Sequence, residues 1–160
     1  MHGCGPVQHS NRFLFLAEVL DSAIREEESD PSLFEYVEAS LIWLDTHGQV
    51  ANFHLLFLFR LTRFLGFYPD TKYSGSSYFD LTEGSFTKNR PPGPSLDKEK
   101  LALFRTLIGI NFDDVVNLGW NSEKRQALLV VLLNYYELHL PGFKKPRSLN
   151  VLKDVFNEIS

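Results

Sequence analysis

The sequence predicts a mainly α protein, in which a single helical-bundle domain of six to seven helices carries one small β-hairpin. Apolar residues recur at helical spacing along most of the chain, and the stretches 53–65 and 127–140 are apolar on nearly every face. Residues 68–97 differ, because turn-forming residues there separate short segments of alternating polarity. A chain of 160 residues that is 44% hydrophobic and 22% charged is long enough and apolar enough to form one core.

The first helix is predicted to begin at Ser10 or Asn11, because either side chain is a good N-cap ahead of an apolar stripe. The residues before it are glycine-rich and show no apolar stripe. We therefore expect a flexible leader over residues 1–9 and a single helical domain over residues 10–160.

The next two helices are predicted from their end signals and their apolar content. Asp30 can cap the second helix, and Pro31 fits the first helical position. The third helix falls within residues 51–70 and is apolar all round, so we expect it to be the central helix of the bundle. Gly66 is expected to end this helix, and Pro69 prevents its resumption.

A hairpin insertion is predicted around residues 73–90, where YFDL and SFT alternate in polarity on either side of the turn TEGS. Helices are predicted to resume with Ser95 as a cap, followed by a short segment after Asn111 and a long helix from Ser122. A last helix is predicted to begin at Ser148, with apolar residues at spacings of three and four.

Several classes of protein are excluded by composition and motifs. Cys4 is the only cysteine and the first residues lack the features of a secretory signal, so the cytoplasm is the expected location. The longest uncharged stretch, residues 46–59, is too short to span a membrane. Local signatures of catalysis are missing, and His54 and His139 are expected to be hydrogen-bonded core residues. We expect no enzyme activity, no metal and no cofactor.

Two cations stand out in the third helix, because Arg60 and Arg63 interrupt an otherwise apolar stretch. One interpretation is structural, with salt bridges from both arginines to the acid-rich first two helices. The other is functional, with Arg60, Arg63, Phe64 and Phe67 forming an anion-binding corner that binds a partner. Such a corner suits a peptide that ends in acidic residues, an aromatic ring and a free carboxylate.

A second basic cluster consists of Lys144, Lys145 and Arg147, just ahead of the last predicted helix. Positive side chains beside the free N–H groups of a helix start would attract phosphate, so these three are candidate DNA-binding residues. Residues 1–70 hold ten acidic and four basic side chains, whereas residues 71–160 hold ten acidic and twelve basic ones. A basic face in the second half is consistent with this asymmetry, and so is an ordinary solvated turn.

Taken in order, four segments resemble one family. They are LFEYVEASLIWLD, ANFHLLFLFRLTRFLGFYPD, YFDLTEGSFT and LLVVLLNYYELHLPGFKKPRSLNVLKDVF. Together they resemble the C-terminal helical region of the bacterial DNA recombination and repair protein RecO, most of all the versions found in the Bacteroides group. The resemblance covers most of residues 10–160, and it is the combination of segments that is specific.

The resemblance implies a recombination mediator that is not an enzyme. Its implied partners are RecR, single-stranded DNA, and the acidic, phenylalanine-ending tail of the single-stranded-DNA-binding protein, and its implied activity is strand annealing. Family members carry an N-terminal OB-fold ahead of the helices, so we expect this chain to be a fragment or a truncated version.

Many members also have a four-cysteine zinc site near the hairpin, and the hairpin region here has no cysteine. We expect packing to replace the metal, through the aromatic residues Tyr73, Tyr78, Phe79 and Phe86.

Two rival functions stay open. The chain could be a helical protein–protein adaptor unrelated to DNA, and only the resemblance argues against this. An enzyme with a dispersed active site is disfavoured, because no nucleophile, base and orienting group can be assembled from the sequence.

Overall fold

The computed structural model describes residues 4–24, 30–47 and 51–146, with side chains described from residue 14 onwards. Six helices and a three-stranded antiparallel sheet occupy these ranges, in agreement with the predicted mainly α class. In chain order the elements are α1 (Cys4–Ala23), α2 (Pro31–His47), α3 (Phe53–Leu65), β1 (Tyr78–Asp80), β2 (Ser85–Thr87), β3 (Ser95–Leu96), α4 (Lys98–Thr106), α5 (Phe112–Val115) and α6 (Ser122–His139).

The beginning of α1 differs from the prediction. The helix begins at Cys4 rather than at Ser10 or Asn11, so most of the predicted leader is helical. Pro6 does not prevent this start, because the first four N–H groups of a helix have no partner within the helix and a proline there loses no hydrogen bond.

The predicted start of α2 and end of α3 are confirmed. The Asp30 carboxylate accepts hydrogen bonds from the backbone N–H groups of Ser32 and Leu33, and the helix begins at Pro31. Gly66 ends α3 with a φ of 94°, in the left-handed region that glycine adopts without strain.

The prediction that α3 is central is also confirmed. Every residue from Phe53 to Phe59 is buried, and α3 packs against α2, α5 and α6. Tyr36 of α2 and Tyr136 of α6 approach α3 from different elements, and their hydroxyls donate hydrogen bonds to the carbonyls of Phe57 and Leu58. Buried phenols thus fix the positions of two neighbouring helices on the central one.

The hairpin of β1 and β2 forms where it was predicted, with Phe79 directly opposite Phe86. Both rings are buried, and Phe79 also packs on Phe104 of α4, so aromatic packing holds the hairpin, whereas Tyr73 is exposed. The sheet has a third strand that was not predicted, β3, which pairs with the other side of β1 to give the order β2-β1-β3.

Ser95 was predicted as a helix cap, and this prediction is wrong. Ser95 lies in β3, and Asp97 precedes the first residue of α4. Ser95 pairs with Asp80 of β1, so the extended backbone continues for two residues past the predicted helix start.

The later helices begin as expected. Asn111 caps α5 through a reciprocal pair of hydrogen bonds with Asp114, and Asn121 caps α6, which begins at Ser122. The last predicted helix, from Ser148, lies outside the described residues, and so does Arg147. None of the described helices combines the length and the hydropathy that crossing a lipid bilayer requires.

Candidate functional site

Arg60 and Arg63 emerge near the C-terminal end of α3, after the buried run that ends at Phe59. The helical repeat turns these two positions away from the core, so Arg60 is half-buried and Arg63 is exposed. Between them, Leu61 and Thr62 remain buried, and the Thr62 hydroxyl donates to the carbonyl of Phe59. The two guanidinium groups are therefore carried by a rigid, well-packed helix.

The loop between α4 and α5 lies against this end of α3. Gly109 turns the chain there with a φ of 81°. The following helix α5 is tied to the bundle, because the buried amide of Asn52 donates to the carbonyls of Val115 and Leu118, 3.3 Å away in each case. On its other side, Asp113 accepts a hydrogen bond of 3.2 Å from the Trp43 indole.

Together these elements line an open pocket of about 230 Å³, which we call the arginine pocket. Its walls come from the end of α3, the segment that follows it and the α4–α5 loop. The residues that line it are Arg60, Arg63, Tyr68, Leu107, Gly109, Ile110 and Asn111.

Each arginine of the pocket lies over an aromatic ring. The Arg63 Cζ atom is 4.5 Å from the centroid of the Tyr68 ring, and the Arg60 Cζ atom is 5.8 Å from the centroid of Phe112. These cation–π contacts orient the guanidinium planes. Neither arginine forms an ion pair within 4.0 Å to any carboxylate of the described residues, so the structural interpretation, salt bridges to the first two helices, finds no support there.

A stack of aromatic rings lies beside the pocket and supports Arg60. Tyr36 is at its centre, with ring centroids 4.8 Å from Phe64, 5.5 Å from Phe57 and 6.5 Å from Phe112. Phe112 packs in turn on Phe53, at 5.3 Å. We call Tyr36, Phe57, Phe64 and Phe112 the aromatic stack.

Burial raises the pKa of Tyr36, although the positive charges of Arg60 and Arg63 act in the opposite direction. The Tyr36 phenol therefore stays neutral and keeps donating its hydrogen bond to the Phe57 carbonyl at neutral pH.

The four predicted partner-binding residues do not all meet. Arg60 and Arg63 line the arginine pocket, and half-buried Phe64 lies in the adjoining aromatic stack. Phe67 is buried elsewhere, where its ring stacks at 5.3 Å on His139. Tyr68, the next residue, supplies the ring at the pocket.

Sequence reasoning missed the residues that the α4–α5 loop contributes. Gly109 and Asn111 carry a recognisable turn and cap signal, but nothing local shows that this loop meets α3 more than forty residues earlier. Long-range contacts bring it there, among them the hydrogen bonds of Asn52 and Trp43 and the packing of Phe112 on Tyr36 and Phe53.

The pocket has the chemistry of a site for an anion with an apolar neighbour. Two guanidinium groups offer several N–H donors to a carboxylate, and the half-buried Ile110 and Tyr68 offer apolar surface beside them. A small volume of this kind fits a chain terminus better than a folded surface, because a terminus presents a carboxylate and a side chain together.

The other predicted site, the basic cluster, has a different environment. Lys144 and Lys145 line a pocket that is shared with Glu18 and Asp21. The Lys145 ammonium lies 3.4 Å from the Glu137 carboxylate. Acidic neighbours lower the positive potential of this surface, so it attracts phosphate less strongly than the sequence alone indicates.

The contacts of His54 and His139 are those of packing residues. The imidazole Nε2 of His139 is 2.8 Å from the carbonyl oxygen of Leu81, which confirms that His139 is a hydrogen-bonded packing residue. His54 is buried, with its ring edge-to-face against Phe15 and Phe53.

Comparison with known proteins identifies one family. The family model described as "Recombination protein O C terminal" matches residues 13–149. The DNA repair protein RecO of Flavobacterium psychrophilum is 44% identical over 144 residues, which are 90% of this chain and 60% of that protein. The protein of the same name from Bacteroides fragilis is 42% identical over 148 residues, 90% of this chain and 61% of that protein.

A more distant relative gives the same result. The DNA repair protein RecO of Porphyromonas gingivalis is 36% identical over 160 residues, 95% of this chain and 64% of that protein. The chain thus spans between 60% and 64% of the length of these three curated relatives. No solved structure matches the chain.

Proposed function

Because this chain belongs to the RecO family, through the region described as the C terminal of recombination protein O, we propose that it acts in DNA recombination and repair as a non-catalytic docking module. Its proposed ligand is the acidic, phenylalanine-ending tail of the single-stranded-DNA-binding protein, held in the arginine pocket. RecR and single-stranded DNA are the further partners, and strand annealing is the activity that the module assists.

The proposal depends on one observation, which is the set of groups that surround Arg60 and Arg63. Both lie at the rim of one pocket, each oriented by an aromatic ring, and the described residues hold no carboxylate within 4.0 Å of them. A tail ending in phenylalanine fits these surroundings, because its terminal carboxylate pairs with the guanidinium groups and its ring packs on the half-buried side chains of Ile110 and Tyr68. Acidic residues just before the terminus add attraction at longer range.

Binding of a fluorescently labelled peptide that ends in Asp-Ile-Pro-Phe tests the proposal. Charge reversal in the double variant Arg60→Glu with Arg63→Glu should weaken binding at least tenfold, which corresponds to a loss of about 1.4 kcal/mol or more. The matched control is Lys98→Glu with Lys100→Glu, since both lysines are exposed and neither lines the arginine pocket. This control changes the net charge of the chain by the same amount, and it should keep most of the affinity for the peptide.

Two altered peptides separate the parts of the recognition. A C-terminal amide removes the carboxylate, and replacement of the terminal phenylalanine by alanine removes the ring, so each should bind more weakly than the native tail. Equal affinity of the double arginine variant and the wild type, with both folded by circular dichroism, would remove this site assignment. The alternative, an adaptor unrelated to DNA, would then be favoured.

DNA contact by Lys144, Lys145 and Arg147 is part of the same proposal. Three phosphate contacts on a single strand give a slope of about −2 for the logarithm of the binding constant against the logarithm of salt concentration. Lys144→Glu with Lys145→Glu should weaken oligonucleotide binding and make this slope shallower. A flat salt response of the wild-type chain would contradict the assignment.

A further inference from the structure

The outward side of α2 carries large apolar side chains in contact with solvent. Phe34 is 65% exposed and Ile42 is 60% exposed, although isoleucine and phenylalanine are among the residues most often buried in proteins. The opposite side of the same helix packs normally, with Leu33 and Leu44 buried. The exposure of Phe34 and Ile42 therefore belongs to one face of a well-packed helix.

These side chains form a continuous surface. Ile42 follows Phe34 by eight positions, a distance of about 12 Å along the helix axis, and Glu38 lies one turn from each of them. Glu35 and Ala39 border the same surface and are exposed as well. We call Phe34, Glu35, Glu38, Ala39 and Ile42 the α2 outer face.

The charge of this face has one sign. Residues 31–47 contain no lysine and no arginine, and Glu35 and Glu38 lie directly beside the two apolar side chains. Nucleic acid and anionic lipid are negative, so this face repels both. A two-fold contact between copies would bring Glu35 and Glu38 close to the same residues of a second copy, where like charges oppose association.

We propose that the α2 outer face binds a basic amphipathic helix of another protein. Apolar residues of that helix cover Phe34 and Ile42, and its lysines or arginines pair with Glu35 and Glu38. This is a helix-on-helix contact, in which anchors recur at spacings of three and four and the surrounding charges select the partner. It involves α2 alone among the described elements and does not depend on the arginine pocket.

The test uses the whole chain and two synthetic helical peptides about five turns long. One peptide has leucine at spacings of three and four with lysine on its borders, and the other has glutamate in place of every lysine. Amide chemical shifts of the ¹⁵N-labelled chain are recorded during titration with each. We expect the lysine peptide to shift amides within residues 31–47, and the glutamate peptide to leave them in place.

Variants of the face assign the contact. Phe34→Gln with Ile42→Gln should weaken binding of the lysine peptide at least tenfold, and Glu35→Lys with Glu38→Lys should weaken it through charge. Neither pair should unfold the domain, because all four side chains are exposed and the replacements favour helix. The matched control, Val130→Gln with Leu138→Gln, alters exposed apolar residues of α6 and should keep the affinity.

Three outcomes would overturn the proposal. The first is equal binding of the two peptides, and the second is a set of shifted amides that lies outside α2. The third is self-association of the chain, measured by sedimentation and abolished in the double variant Phe34→Gln with Ile42→Gln. The occupant of the face would then be a second copy.

Discussion

Tyr36 is the central residue of the aromatic stack beside the arginine pocket. Its ring lies between Phe64 and Phe57, and its hydroxyl donates to the Phe57 carbonyl, so both ends of the side chain are fixed to α3. Phe112, the ring under Arg60, packs on the same side chain. The orientation of Arg60 is therefore set by contacts of its neighbours on α2 and α5.

Gly84 offers a test of packing at the scale of one residue. It has a φ of 69°, and a Cβ atom added there would lie 2.8 Å from the hydroxyl oxygen of Tyr135. That hydroxyl donates to the carbonyl of Phe67 and has little freedom to move. Gly84→Ala should therefore lower the free energy of unfolding by about 1–3 kcal/mol in urea denaturation.

Gly75→Ala is the control for this prediction. Apart from its two chain neighbours, none of the described residues has an atom within 4 Å of a Cβ built at Gly75, and the φ of Gly75 is not in the left-handed region. This change should leave stability nearly constant or raise it slightly, by reducing the freedom of the unfolded chain. Equal effects of the two substitutions would show that the contact with Tyr135 does not restrict position 84.

At the residue scale, the sequence identifies Arg60 and Arg63 as unusual side chains, but it does not predict which residues contact them. Arg60 and Arg63 are recognisable because charges are rare in an apolar helix. Phe67 and Tyr68 are adjacent rings, and the sequence cannot tell which one faces the pocket, because the chain leaves the helix at Gly66. The structure buries Phe67 and leaves Tyr68 under Arg63.

At the scale of elements, α5 shows how a very short helix can support a site. Four residues are too few for a helix to persist alone, because nucleation is unfavourable. The capping box between Asn111 and Asp114 supplies two hydrogen bonds, and the amide of Asn52 and the indole of Trp43 fix the helix to the bundle. These contacts also hold the α4–α5 loop in place as a wall of the arginine pocket.

Removing the cap of α5 should therefore affect both stability and binding. Asn111→Ala is expected to cost about 1 kcal/mol of folding free energy, as the loss of an N-cap usually does. Because Asn111 also lines the pocket, affinity for the Asp-Ile-Pro-Phe peptide should fall severalfold. Urea unfolding and fluorescence anisotropy measure the two effects on the same sample.

Asn121→Ala is the matched comparison, since Asn121 caps α6 through the N–H of Lys124 and does not line the pocket. Its cost in stability should be similar, and its peptide affinity should equal that of the wild type. A loss of affinity in both variants would mean that general destabilisation, and not the position of the loop, controls binding.

Element ends were predicted well where a local signal decides them. Asp30, Gly66, Asn111 and the helix start at Ser122 are such cases, because the capping residue and its partner lie within one turn. Strand β3 was missed for the opposite reason. Its two residues extend because they pair with β1, fifteen and seventeen residues earlier along the chain, and no local pattern records that pairing.

At the scale of the whole molecule, three tyrosines join the layers. Tyr36 of α2 and Tyr136 of α6 donate to carbonyls of α3, and Tyr135 of α6 donates to the carbonyl of Phe67 in the segment after α3. Periodicity alone could not predict these links, because α3 and α6 are apolar on most faces and their rotation about the helix axis is set only by packing. Phenols that reach backbone carbonyls define that rotation.

These buried phenols predict how stability depends on pH in the alkaline range. Burial raises the pKa of Tyr36, Tyr135 and Tyr136, and for Tyr136 the proximity of Tyr36 raises it further. Below a pH of about 10 the phenols are neutral in both states, so their contribution is fully present. Above that value the unfolded chain releases protons that the folded chain retains, so stability falls as pH rises.

Each such tyrosine steepens the decline by about 1.4 kcal/mol per pH unit. In urea unfolding measured at intervals above pH 10, Tyr136→Phe should lower stability at neutral pH, through loss of the hydrogen bond to Leu58, yet show a shallower alkaline decline than the wild type. The matched comparison is Tyr73→Phe, which alters an exposed side chain and should leave stability at neutral pH nearly unchanged. An unchanged slope in Tyr136→Phe would mean that the phenol ionises as easily inside the bundle as in water, which is incompatible with its donation to a buried carbonyl.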